Sequence, residues 1–276
     1  MTQRLPFILF RITFGSFLIW HWIQLSPFME DLYSVDGLYA HRFEAPWPNV
    51  LNSLHGQLQL GVFNALAIAL SFFVLCGILR RGSALLLSYL HGCVVSWNVM
   101  LSPPSDGYVG WLLIALVLIP SGEGLGLHRR TEHWRMPREI MMAGMVVLGV
   151  TYTLSGLDKL RSELWWSGDA LRLLFEGPLV RAGIAGELVR SLPMPLLTAL
   201  TWGSVAAETL FLPLIFWRPT RVVAWSAMTL MHFGVLMTVS ITTVSIAMLC
   251  FHFFVWPTLL REPIEPVGQP DHQAAV

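Results

Sequence analysis

Charged residues are scarce in this chain: only 12% of its 276 positions are Asp, Glu, Lys or Arg, against roughly 25% in a soluble domain. That scarcity excludes an ordinary water-soluble fold. Cysteine is scarce as well. Cys76, Cys93 and Cys250 all lie inside apolar runs, where they read as small core residues with neither a disulfide framework nor metal-ligand spacing. The formal net charge is zero, so nothing in the charge balance points to a nucleic-acid partner. No small-residue cleavage site follows the first apolar run, LPFILFRITFGSFLIWHWI, and Arg11 interrupts it; the run reads as a retained anchor and not as a signal peptide. No internal repeat is visible, and no low-complexity segment beyond the polar tail after Pro263.

What the chain has in abundance is apolar length. Apolar residues make up 55% of it. A helix needs roughly 20 such residues to cross about 30 Å of hydrocarbon. The runs place spans at residues 5–23, 58–79, 83–101, 108–120, 140–160, 195–217, 222–239 and 243–255. The last two are separated by argument. Residues 222–255 contain no formal charge, and as one helix they would extend roughly 50 Å, too long for one crossing. The polar SITT at 240–243 is the expected break. The expected fold is therefore all-α: a polytopic membrane bundle of about eight transmembrane helices over residues 1–260, followed by a short polar tail at 261–276.

Eight spans put both termini on one side, with Arg4, Arg80, Arg81, Arg129, Arg130, Arg135, Arg138, Arg218, Arg221 and Arg261. The other side holds Arg42, Lys159, Arg161, Arg172, Arg181 and Arg190, spread over longer loops. Cytoplasmic loops are enriched in Lys and Arg, which makes both termini cytoplasmic in an inner membrane. Two outer segments, 24–57 and 161–194, are too long for turns. Within the second, SGDALRLLFEGP has a cap at Ser167 or Asp169 and a Gly177-Pro178 stop, so a short interfacial helix is expected there, and the Trp165-Trp166 pair suits the headgroup level. Such segments can roof an outward-opening cavity.

Charges left inside hydrocarbon demand explanation. Arg11 lies about 9 Å of helix from the cytoplasmic start of its span and is expected to snorkel. His21 and Trp22 read as interface anchors. Glu208, in TWGSVAAETLFLPLIFW, is too short to reach either surface and must be protonated or paired; His232, central in the next span, is its expected partner. That pair is either helix glue or part of a site. His91 and Asn98 lie about two helical turns apart on one span and are candidates to line the same interior, although a satisfied core histidine also explains His91. His252 reads as a core or interface residue. Lys159, in TYTLSGLDKL, has two readings. It is near the end of its span and can snorkel, with Asp158 beside it. Alternatively burial disfavours an amine's charged form, and a neutral amine is a competent general base.

The residues YTLSGLDKL followed by WWSGDAL resemble the tyrosine, small-residue, Gly-x-x-Lys-Leu, then Trp-x-x-Gly pattern of the vitamin K-dependent gamma-carboxylase family and its bacterial relatives with the horizontally transferred transmembrane domain. FRITFGSFLIWHWIQL and LYSVDGLYAHRF are similar to that domain's opening span and its Tyr-Ser-x-x-Gly loop, and SWN, LIP, AAETLF, RPTR, LMHFGV and TTVSIAMLCFHFF follow in order. The resemblance covers roughly residues 7–260. It implies that Lys159 is the base that deprotonates a bound hydroquinone, whose oxygenated product removes a glutamate γ-proton. On this reading Lys159, Glu208 and His232 are catalytic candidates, and His91, Asn98, Trp165 and Trp166 are candidates to bind a quinone or hydroquinone, with no metal expected.

Two departures stand out. Asp158 occupies the position of a second lysine, and the spacing to Trp165 is one residue longer. The carboxylases also carry a large lumenal domain that grips their protein substrate, whereas this chain ends at Val276, so protein carboxylation in that form is not expected. A quinol-dependent, carboxylase-like lyase or oxygenase is one reading. The other is a non-enzymatic membrane factor that helps mature or export a secreted peptide. A transporter lacks the expected inverted repeat. The expected partners are membrane lipid and a small secreted peptide or protein, without nucleic acid.

Overall fold

The computed structural model describes residues 4–38, 47–125 and 131–259. Arg42, Glu44, Arg129, Arg130 and Arg261, the end of the LYSVDGLYAHRF loop and the tail at 261–276 lie outside the described residues. The described residues are mostly helical and form no β-strand. Its helices are α1 (Arg4–Leu25), α2 (Met29–Tyr33), α3 (Gly56–Cys76), α4 (Arg80–Trp97), α5 (Asp106–Leu118), α6 (Arg138–Leu160), α7 (Glu163–Trp166), α8 (Ala170–Glu176), α9 (Ile184–Arg190), α10 (Met194–Thr209), α11 (Phe211–Phe216), α12 (Arg218–Thr238) and α13 (Thr242–Leu259). Among the described residues three segments are long and apolar enough to cross a membrane: Arg4–Tyr33, Gly56–Cys76 and Arg138–Leu160. Asp106–Leu118 and Thr242–Trp256 are apolar but shorter.

The long helices pack into one bundle. α1 lies between α3 and α13, α4 packs on α3 and α5, and α6 contacts α10, α11 and α13. The core is aromatic where α1 meets α13, with Phe10 edge-on to Phe254 at a centroid distance of 5.0 Å. Trp22 is not an interface anchor. It is fully buried, edge-on to Phe63 of α3, because α1 continues past it to Leu25.

The run at 195–217 is not one continuous helix. Pro213 has no N–H to give the carbonyl of Thr209, four residues earlier, and its ring crowds that carbonyl, so α10 ends and α11 begins there. Thr153 of α6 supplies the missing partners. Its hydroxyl donates to the Thr209 carbonyl at 3.2 Å and accepts the Leu212 N–H at 3.2 Å. One turn on, Gly156 lets α6 and α10 touch: a Cβ there would lie 2.5 Å from the Thr209 nitrogen. Thr153→Val should therefore lower stability by about 1–3 kcal/mol through unpaired backbone groups, measured as a lower midpoint of thermal unfolding.

The break between α12 and α13 falls at residues 239–241, one position earlier than expected. The outer segment pins it: Val180 pairs antiparallel with Val239, the Arg181 N–H donates to the Thr238 carbonyl, and the Ser240 N–H to the Leu179 carbonyl. The Arg181 guanidinium donates to the Val239 carbonyl at 3.0 Å and to the Thr242 hydroxyl, closing one helix end and opening the next. SGDALRLLFEGP does form a short helix, α8, ending at Gly177.

Arg11 does not snorkel. It is buried, and its guanidinium donates to Glu123 at 2.8 Å; Arg80 donates to the same carboxylate oxygen at 2.9 Å. Gly77, in the left-handed region at φ 70°, closes α3 and leaves room for the Arg11 guanidinium, which a Cβ would strike. The other nitrogens of Arg80 take the carbonyls of Leu116, Ile119 and Pro120, the orphan acceptors at the end of α5.

Candidate functional site

Helices α5, α6, α10, α12 and α13 bring polar side chains to one cavity of about 640 Å³. Tyr152, Ser155 and Lys159 come from one face of α6, at the i, i+3 and i+7 spacing that aligns side chains along a helix. Glu208 comes from the kinked end of α10 and His232 from the middle of α12. Leu171, Leu174 and Phe175 of α8 and Val189 of α9 line the same space, so the outer segment roofs it. Its walls are otherwise largely apolar, as in small-molecule sites generally.

Lys159 stands in the last turn of α6, where a cation also complements the helix dipole. Its ammonium donates to Glu208 Oε1 and lies 4.8 Å from the centre of the Trp165 ring, a cation–π distance. The Lys159 side chain is 21% exposed and that of Glu208 4%, so the carboxylate is buried in the cavity wall and the lysine is partly covered. The expected partner of Glu208 was His232; the carboxylate turns instead to Lys159, because Gly156 draws the end of α6 against α10. Glu208 Oε2 has no hydrogen-bond partner among the described residues.

His232 bonds to a residue that sequence reasoning missed. Its Nε2 is 2.7 Å from the Tyr152 hydroxyl, which is 2.8 Å from Nε2 of His252 on α13. All three side chains are buried. A sequence signal for Tyr152 existed: it lies seven residues before Lys159, on the same helix face. Nδ1 of His232 and Nδ1 of His252 are both without a partner among the described residues.

The other candidates lie apart. His91 is at the α4–α5 interface, its Nε2 3.0 Å from the Asp106 carbonyl, and is not among the residues lining the cavity. Asn98 is also away from it. α4 ends at Trp97, leaving Asn98 extended at φ −152°, where its Oδ1 accepts the Met100 N–H; the shared helix face expected for these two does not exist. Trp165 lines the cavity, whereas Trp166 is 70% exposed. Both tryptophans border a second, apolar groove of about 480 Å³ with Leu160, Trp202, Ala206 and Leu210. Trp165 is thus shared between the groove and the polar cavity. Among the described residues no group of three His, Cys, Asp or Glu side chains is placed to hold a metal ion.

The arrangement can hold a polar molecule against a lysine, a carboxylate and an imidazole in largely apolar surroundings, where an electrostatic contact is stronger than in water. Comparison with protein-family models, with curated proteins and with solved structures finds no match.

Proposed function

We propose that this chain is an eight-span inner-membrane protein, with α10 and α11 forming one crossing and both termini cytoplasmic, that binds a quinol-like or lipidic small molecule and uses Lys159 as a general base. The observation that carries this reading is the convergence of Lys159, Glu208 and His232 on one cavity in which Glu208 Oε2 and His232 Nδ1 lack partners. Buried polar atoms are nearly always satisfied, and those left over at a cavity wall suit a ligand's hydroxyls. The resemblance to the carboxylase membrane domain supports the same residue, Lys159, in the same role.

The proton bookkeeping is simple. Moving the shared proton from the Lys159 ammonium to Glu208 leaves an amine and a carboxylic acid, without changing the net charge of the pair. The amine then takes a proton from a hydroxyl of the bound molecule, and the oxyanion left behind faces the regenerated ammonium. Glu208 acts by holding and returning a proton, and the Trp165 ring faces the Lys159 ammonium at 4.8 Å. Trp165 and the apolar groove beside it suit the hydrocarbon part of such a molecule.

Organic extraction of the purified protein followed by mass spectrometry tests the binding claim. A quinone recovered from wild type and depleted in Lys159→Ala is the expected result; bulk phospholipid alone in both returns Lys159 to an anchoring role. A second reading, a factor that engages a secreted peptide, draws on Ile184 and Leu188 of α9, which are 87% and 62% exposed on the outer segment. It predicts crosslinks from this helix to a peptide and no dependence on Lys159.

A further inference from the structure

Two imidazoles and a phenol buried together are not needed to remove one proton with Lys159. They form a linear chain, His232 Nε2 to Tyr152 hydroxyl to His252 Nε2, with links of 2.7 and 2.8 Å. The phenol has one proton, so it donates to one imidazole and accepts from the other; the two rings must therefore carry opposite tautomers at Nε2. His232 and Tyr152 both line the cavity, and among the described residues His232 Nδ1 has no partner. The other end is closed. His252 is fully buried, with the rings of Phe211 and Trp225 at 6.3 and 6.0 Å, and its own Nδ1 has no partner among the described residues.

We propose that His232, Tyr152 and His252 form a second acid–base centre of the cavity, in which His232 accepts a proton from the bound molecule and Tyr152 relays the charge to His252. This rests on the reading that a protic molecule occupies the cavity. His232 starts with its proton on Nε2 and a bare Nδ1, and His252 with a bare Nε2. A ligand hydroxyl gives its proton to His232 Nδ1, the His232 Nε2 proton passes to the Tyr152 oxygen, and the Tyr152 proton passes to His252 Nε2. His232 ends neutral with its proton moved, Tyr152 is unchanged, His252 is an imidazolium and the ligand is its conjugate base. His232 is then a catalytic residue, and Tyr152 and His252 act through it. Together with Lys159 and Glu208, the cavity has two separate proton acceptors, which fits a molecule with two exchangeable protons.

Nitrogen NMR of the full chain labelled with ¹⁵N-histidine and ¹⁵N-tryptophan tests this, with signals assigned through His232→Gln, His252→Gln and Trp165→Phe. In free wild-type protein, His232 should show an N–H at Nε2 and His252 a bare Nε2. Anaerobic addition of menadiol as the hydroxylic probe should move the His232 proton to Nδ1 and protonate both nitrogens of His252; in Tyr152→Phe, which keeps the ring, His252 should stay neutral. The same tautomer on both rings, or a bare Nε2 on His232, overturns the relay. So does bound menadiol, seen by a shift of the Trp165 indole, that leaves His252 neutral in wild type; ionisation of menadiol in that case would leave the Lys159 reading standing. If menadiol does not bind, the hydroquinone reading fails and the free-protein tautomers alone decide the relay.

Discussion

Glu123→Ala should be among the most destabilising single changes in this protein. It leaves two buried guanidinium groups, those of Arg11 and Arg80, facing each other without their shared carboxylate. Removing one partner of a buried ion pair costs about 3–5 kcal/mol, because the remaining charge stays desolvated. Here two like charges remain. The damage spreads through Arg80, which also holds the carbonyls of Leu116, Ile119 and Pro120 at the end of α5. A thiol-reactive dye reports unfolding directly, since Cys93 and Cys250 are buried and free. At about 2–4 °C per kcal/mol the midpoint should fall by roughly 10 °C. Glu123→Gln, which keeps the shape and an acceptor oxygen, should fall by less. A midpoint within about 2 °C of wild type in Glu123→Ala would show that the arginines find other partners.

Lys159→Met and Glu208→Leu should separate stability from function. Glu208→Leu leaves the Lys159 ammonium in the cavity wall with only the Trp165 face beside it. A loss of about 3 kcal/mol follows from the unpaired charge. The double substitution should recover most of that loss, because an apolar pair of similar size replaces both charges, and the two single effects will not add. Proton abstraction behaves differently. Loss of a positioned general base typically lowers a rate by about 10²–10⁴-fold, and the stable double variant should be as inactive as Lys159→Met alone. An active double variant would make the pair helix glue.

Much of this architecture was legible because the signals were local. The charge-free stretch at 222–255 had to be broken, and it breaks at residues 239–241, between α12 and α13. Glu208 was recognisable because a short carboxylate far from either end of an apolar run must have a partner. Which partner was not legible. His232 was the nearest candidate by depth, but the choice is made by Gly156, which brings the end of α6 onto α10, and by Pro213, which ends α10 just after Glu208. Both residues are visible in the sequence; their joint effect needs the packing.

Long-range partners account for the other differences. Arg11 looked able to snorkel on its own helix, yet its carboxylate lies 112 residues away in the loop after α5. Tyr152 reads as one aromatic residue among many until α12 and α13 place a histidine on each side of it. Asn98 was assigned to a helix face that ends one residue too soon. Periodicity gives the elements, and burial gives the residues that must be satisfied, but pairing is a property of the assembled bundle.

The central claim is that Lys159 takes a proton from a hydroxyl of a molecule bound in the cavity. Menadiol and its anion absorb differently in the near ultraviolet, so anaerobic mixing with excess protein at about pH 7 reads the transfer directly. Wild type should generate the anion in proportion to bound menadiol, and Lys159→Met, at menadiol concentrations high enough to offset its weaker binding, should produce little anion per molecule bound. Equal anion in both proteins, or none in wild type with menadiol bound, would contradict the claim.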